Sequence, residues 1–173
     1  MFIREKLQVH EYKYPFAEKV NPLLESQIRE VWDNRDKPLN MNAHFTGFHF
    51  DRDNKSAQNI SRWVSDLIRK VLEYPVDLKC VELWGVLYNE GDYVTSHPHT
   101  PSLYSFVYFV NTPKGSSPLV FETSGRKIKP EAGKVVIFDS RLVHKVPPNK
   151  CKGRCTISGN FIYPRQVGTF GLQ

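Results

Sequence analysis

Two histidines one residue apart, His97 and His99, are the residues in this chain best placed to do chemistry. Side chains at i and i+2 of an extended segment point to the same face. Both imidazoles can therefore aim at one point, as a metal ion requires. One more histidine, His144, follows in the second half, and ten residues after it comes Arg154. Three imidazoles suit iron, zinc, copper or nickel and leave coordination positions open for other ligands. An arginine fork binds a carboxylate through two parallel hydrogen bonds. Thr156 shares the strand face of Arg154, and Ser158 and Asn160 continue it. A single histidine is more often packed or surface-exposed than metal-bound. Three in order, each beside a strand-like run and with an arginine downstream, read as a metal centre plus an anchor for an anionic co-substrate.

The elements that must carry these residues are legible in part. Phe2, Ile3, Leu7 and Val9 alternate loosely and suit a first strand. Asn21-Pro22 reads as a helix start, with Asn as cap and Pro in the first turn. Leu24, Ile28, Val31 and Trp32 follow at helical spacing, and residues 34–38 end the run. His44 and His49 lie among Phe45, Phe48 and Phe50 in a loop or short strand and read as packed or solvent-facing rather than metal-bound. From Asn54 to Tyr74, Ile60, Trp63, Val64, Leu67, Ile68, Val71 and Leu72 mark one face of a helix that Pro75 closes. The period then changes. Strands are expected over 78–88, 102–110, 119–122, 126–129, 134–138 and 155–163, punctuated by Gly and Pro turns. This is the pattern of an all-β sandwich or barrel with two helices in front of it. The expected organisation is a single domain, 1–173. Residues 1–77 form a helical N-terminal support, and 78–163 form the β core.

Composition narrows the classes. The chain of 173 residues is long enough to bury a sizeable core, and no apolar run suits a membrane span or a signal peptide. Three cysteines, Cys80, Cys151 and Cys155, make an odd count without CxxC spacing. That argues for a reducing, cytoplasmic setting (host cytoplasm for a phage protein) and against a disulfide scaffold or zinc finger. The formal net charge is +6. The half up to Glu90 is nearly balanced, so the excess falls on the half with the histidine set. Most of these lysines serve solubility, and the excess also attracts anionic ligands.

Taken together, these motifs resemble the iron(II)/2-oxoglutarate-dependent oxygenases, in their prolyl-hydroxylase-like branch with its phage and bacterial relatives. Tyr88, Gly91, Tyr93 and His97 nearly meet the pattern Tyr-x-x-Gly-x-x-Tyr-x-x-x-His. Ser105 to Val110 resembles the family's next strand. Gly133 to Phe138, Ser140 and His144-Lys145-Val146-Pro147-Pro148 resemble the strand and turn of the distal histidine. Arg154-Cys155-Thr156 resembles the Arg-x-Ser/Thr that holds the far carboxylate of 2-oxoglutarate. The resemblance covers about Trp84 to Tyr163.

It implies a mostly β fold, a double-stranded β-helix (jelly roll) supported by N-terminal helices. His97, His99 and His144 would hold Fe(II), and no catalytic residue is expected beyond the metal centre. Arg154, Tyr88 and Thr156 would bind 2-oxoglutarate, with Ser158, Asn160 and Phe109 as further pocket positions. The implied reaction consumes O2 and 2-oxoglutarate, releases succinate and CO2, and by default hydroxylates a substrate. That substrate is a peptidyl residue, an amino acid, a small metabolite or a nucleotide.

There are three departures. His99 stands where the family has Asp, Phe109 where some prolyl hydroxylases place a tyrosine, and Asn160 where nucleic-acid demethylases carry a second arginine. The last disfavours nucleic acid as substrate. Two other readings use the same residues: a three-histidine iron dioxygenase without 2-oxoglutarate, and a non-catalytic jelly-roll binding protein.

Overall fold

The computed structural model of the chain describes residues 8–31, 37–71 and 78–164. Several expectations lie outside them: Phe2, Ile3 and Leu7 of the first strand, Trp32 and most of the break at 34–38, and the helix end at Tyr74-Pro75.

In chain order the elements are β1 (Val9–Lys13), α1 (Ala17–Glu30), β2 (Met41–Asn42), β3 (His44–Phe45), α2 (Lys55–Val71) and β4 (Lys79–Tyr88). Then follow β5 (Tyr93–His97), β6 (Tyr104–Asn111), β7 (Leu119–Phe121), β8 (Lys127–Ile128), β9 (Lys134–Asp139), β10 (His144–Val146) and β11 (Arg154–Ile162). They form a six-stranded sheet, β1-β9-β6-β11-β4-β3, and a five-stranded sheet, β2-β5-β10-β7-β8. The strand pairs within both are antiparallel. This is a jelly roll, and all three short strands from the N-terminal third join its sheets.

The larger sheet is covered on both faces, which explains why its strands read as near-continuous apolar runs. On one side Leu24 and Ile28 of α1 and Ile60, Val64 and Ile68 of α2 pack against Leu83, Leu87, Phe106, Val135 and Ile157. On the other, Phe45, Val86, Val107, Phe109, Val136 and Phe138 meet Val94, Leu119, Phe121, Ile128 and Val146 of the smaller sheet. The helices lie close to the strands. A Cβ on Gly85 of β4 would stand 2.6 Å from Ile28 Cγ1.

The helix boundaries correct one expectation. α1 starts at Ala17 rather than at Asn21, and Pro22 lies inside it. The added turn is held by packing. Ala17 is buried, and a Cβ at Gly133, whose φ is +85°, would meet Ala17 Cβ at 2.6 Å. Asn21 is therefore no cap. Its Nδ2 donates to Val110 O (2.8 Å), and its Oδ1 accepts from the Tyr108 hydroxyl (2.6 Å), tying α1 to β6. α2 behaves as its sequence suggests, with Asn54 Oδ1 accepting from Ala57 N–H (2.9 Å) as a side-chain cap. His44 is buried and packed. Its Nε2 reaches Ile28 O (2.8 Å) and Val31 O (2.7 Å), satisfying carbonyls left open at the end of α1.

Replacing Asn21 by Ala removes its two hydrogen bonds to β6 and leaves the Tyr108 hydroxyl short of an acceptor. Urea unfolding should show a loss of about 1–3 kcal/mol. A loss below about 0.3 kcal/mol would mean that α1 is seated by its apolar packing and its remaining hydrogen bonds, without help from Asn21.

Candidate metal centre and co-substrate cavity

The site lies between the two sheets. Along β11 the residues alternate. Cys155, Ile157 and Phe161 face the helices, while Arg154, Thr156, Ser158 and Asn160 share the other face, all of them buried. On neighbouring β4 the residues paired with these four are Tyr88, Val86, Trp84 and Glu82. The central strands thus line the interior with a row of polar and aromatic groups.

The histidines come from the facing side. His97 ends β5 and is paired across the ladder with His144 at the start of β10. The turn between β4 and β5 sets this register. Gly91 takes φ +86°, Asp92 Oδ2 accepts from Asn89 N–H (2.7 Å), and Gly91 N–H donates to Asn149 O (2.8 Å). His99 lies just past β5, where its N–H donates to Ser140 O (2.8 Å).

The ligand nitrogens of the three rings lie within 4.8 Å of one another. At metal–nitrogen distances near 2.1 Å, ligand nitrogens stand no more than about 4.2 Å apart. Small ring movements therefore close the set around an ion. His97 Nδ1 donates to Thr95 O (2.8 Å) and His144 Nδ1 to Leu142 O (2.9 Å). A carbonyl only accepts, so both Nδ1 atoms carry the proton and both Nε2 lone pairs are left for a metal. Burial keeps the rings neutral. It lowers His97, takes His144 down to about 4 with the help of His97, and takes His99 to about 2 with the help of His144 and His97.

Across a narrow cavity lies Arg154, whose side chain is fully buried. Its Nε donates to Ser117 O (3.1 Å). Its guanidinium carbon stands 4.3 Å from the centre of the Tyr88 ring and 5.5 Å from that of Phe109. Among the described residues neither terminal nitrogen has a hydrogen-bond partner. Burial pushes the Tyr88 phenol up, and the Arg154 charge works against it. Thr156 and Ser158 line the same cavity as Tyr88 and Arg154, and its apolar walls include Val86, Val94, Val107, Leu119 and Val146. A guanidinium without a partner among the described residues, facing three neutral imidazoles, fits a metal ion at the imidazoles and an organic anion at the arginine.

His97, His99, Trp84 and Met41 also line an open cleft of about 560 Å³ on the outer side, where Asn160 lies. The structure thus brings the histidines together with Arg154, Tyr88, Thr156 and Ser158. It places Asn160 in the outer cleft and Phe109 behind the guanidinium. Sequence reasoning misses Ser117, Met41, Trp84 and Glu82. Ser117 acts through a carbonyl, which leaves no side-chain signal. Trp84 and Glu82 are reachable by counting back in twos from Tyr88.

No protein-family model and no curated protein matches the sequence. Solved structures do match. A viral collagen prolyl hydroxylase from Paramecium Bursaria Chlorella virus-1, in a 2OG complex, superposes with TM-score 0.70 at 16% identity, covering 88% of this chain and 94% of that one. A Pseudomonas putida prolyl-4-hydroxylase gives 0.70 at 19%, covering 92% and 94%. A 2OG-Fe(II) oxygenase family oxidoreductase from Burkholderia pseudomallei gives 0.69 at 9%, covering 89% and 85%. The chain has the jelly-roll fold of these 2OG-Fe(II) oxygenases and prolyl hydroxylases.

A buried, unpaired charge costs several kcal/mol, and an apolar replacement of like volume is often neutral or stabilising. Arg154→Met should therefore leave the thermal midpoint of the metal-free, anion-free protein unchanged or raised. A marked fall would show that the guanidinium is a structural strut.

Proposed function

We propose that the protein is a non-haem iron(II)- and 2-oxoglutarate-dependent oxygenase, acting as a hydroxylase on a substrate that enters by the outer cleft. The observation that carries this reading is the fully buried Arg154 guanidinium, with two unpartnered nitrogens across the cavity from the histidine set. The shared fold supports it, as does the 2OG complex of one neighbour. Iron with 2-oxoglutarate and O2 supplies the oxidising power for hydroxylation, with succinate and CO2 as co-products.

The chain's own residues select, orient and shield. Arg154 takes the far carboxylate of the co-substrate in its fork. Tyr88 and Thr156 offer hydroxyls beside it, and the Phe109 ring backs the guanidinium and keeps water from behind it. Thr95 and Leu142 carbonyls hold the His97 and His144 rings with Nε2 outward. Apolar walls keep the cavity dry, which strengthens every charge–charge contact inside it. With His99 in place of a carboxylate, the protein brings no negative charge to the metal. A dianion then balances the ion and Arg154 better than a neutral ligand does.

The neutral triad is also the feature that favours the second reading, a three-histidine dioxygenase without 2-oxoglutarate. Anaerobic titration with Fe(II) and 2-oxoglutarate separates the two. The proposal expects a visible metal-to-ligand charge-transfer band that needs both additions and is lost in Arg154→Ala and His144→Ala. Iron bound without a band would support the second reading, and no iron bound would leave a binding protein on an oxygenase fold.

A similar test probes the anion anchor alone. Arg154→Lys keeps the charge but loses the bidentate fork. Equilibrium titration should show 2-oxoglutarate bound at least ten-fold more weakly than by the wild type, while iron affinity is unchanged. Equal co-substrate affinity would place the carboxylate elsewhere.

A further inference from the structure

The outer cleft has a charge character opposite to that of the whole molecule. The chain carries a formal net charge of +6. Yet among the described residues the cleft is lined by one carboxylate, Glu82, and by no lysine or arginine. In the adjoining recess Arg141 is paired with Asp139 (2.8 Å), so it offers little free positive charge.

Glu82 is held in place by a relay of buried polar groups. Ser140 and Ser105 hydroxyls share a hydrogen bond (2.7 Å). The Ser105 hydroxyl donates to Asn160 Oδ1 (2.8 Å), which fixes the amide orientation. Asn160 Nδ2 then donates to Glu82 Oε2 (2.6 Å). One carboxylate oxygen is thus engaged, and no partner is found for Oε1 among the described residues.

Beside Glu82 stand two aromatic rings. Trp84, two residues on and on the same face of β4, lies 5.4 Å from Phe48 in an edge-to-face pair and 5.7 Å from the ring of His99. Phe48 is seated by the main chain, where Leu83 N–H donates to Phe48 O (2.8 Å). A carboxylate next to aromatic faces is a receptor for a cation on an apolar stem. Two residues along a strand span about 7 Å, so Glu82 and Trp84, whose ring stands beside His99, offer successive contacts along the cleft.

We infer that the cleft selects a substrate bearing an ammonium or guanidinium group on an aliphatic stem, with Glu82 pairing the cation and Trp84 and Phe48 packing the stem. This rests on the oxygenase reading and names its substrate class. The lining is a poor match for a polyanion such as a nucleic acid, in agreement with Asn160 standing where a second arginine would be.

The test is calorimetric titration of the full chain, both bare and carrying Mn(II) and 2-oxoglutarate. The probes are blocked tripeptides Ala-X-Ala with X lysine, arginine or norleucine, free lysine and arginine, and an oligothymidylate. The basic probes should bind at least ten-fold more tightly than norleucine, and Glu82→Gln should abolish that preference while norleucine is bound as before. The Gln amide oxygen still accepts from Asn160, so the variant removes charge and keeps the hydrogen bond. Tripeptides against free amino acids tell whether the cation is peptidyl. The inference is overturned by equal affinity for lysine and norleucine, by a preference that survives Glu82→Gln, by tighter binding of the oligothymidylate, or by no binding of any probe. The Fe(II)–2-oxoglutarate band is read separately. Its absence sinks the oxygenase reading, whereas a charge preference in the bare protein still reports on the cleft.

Discussion

A positive charge sealed inside an apolar sandwich is the constraint on which the rest of this structure depends. Arg154 sits at the start of the central strand β11, wholly buried, with only its Nε satisfied. An ion so placed loses its hydration without regaining it from protein partners. The fold tolerates this by surrounding the guanidinium with aromatic faces from the two neighbouring strands, Tyr88 from β4 and Phe109 from β6. Cation–π contact returns part of the lost solvation. The remainder stays uncompensated in the free protein, and an anion that paired with the guanidinium would relieve it.

The two sheets divide the work. The larger carries Arg154, the smaller carries His97 and His144, and the loop after β5 brings His99. Their separation is therefore a property of inter-sheet packing, in which Val107, Phe109, Val136 and Phe138 meet Leu119, Phe121 and Val146. Interiors are dense and shift only at a cost, so this packing holds the three histidines at a set distance from the arginine. The helices add no group to the site. They seal the far side of the larger sheet, and Asn21 and His44 lock α1 in place at two points.

Polarity also runs along the interior. From Arg154 through Thr156 and Ser158 to Asn160, β11 passes from a sealed cationic end to an open end beside Glu82. An anionic co-substrate and a cationic substrate would then occupy opposite ends of one row, with the metal ligands facing its middle. The basic excess of the chain acts at the surface and plays no part in this local arrangement.

Much of this is legible in the amino-acid sequence. His97, His99, His144 and Arg154 stand out because ligand types at strand spacing are rare by chance, and α2 because its apolar stripe repeats at helical period. The strands β4, β6, β9 and β11 are visible as apolar runs. The start of α1 is not. Its first turn depends on Ala17 meeting Gly133, a contact between residues more than a hundred positions apart. Nor does the pattern of β11 reveal that both of its faces are interior. Alternating polar and apolar residues ordinarily mark a strand with one face in water, and here both faces are buried and the polar one lines the cavity. Glu82, Trp84 and the Ser117 carbonyl gain their roles from neighbours across the sheets. Local sequence determined which groups exist and at what spacing along each strand. Tertiary packing alone decided which of them share one dry space, because burial and charge pairing depend on surroundings that distant segments supply.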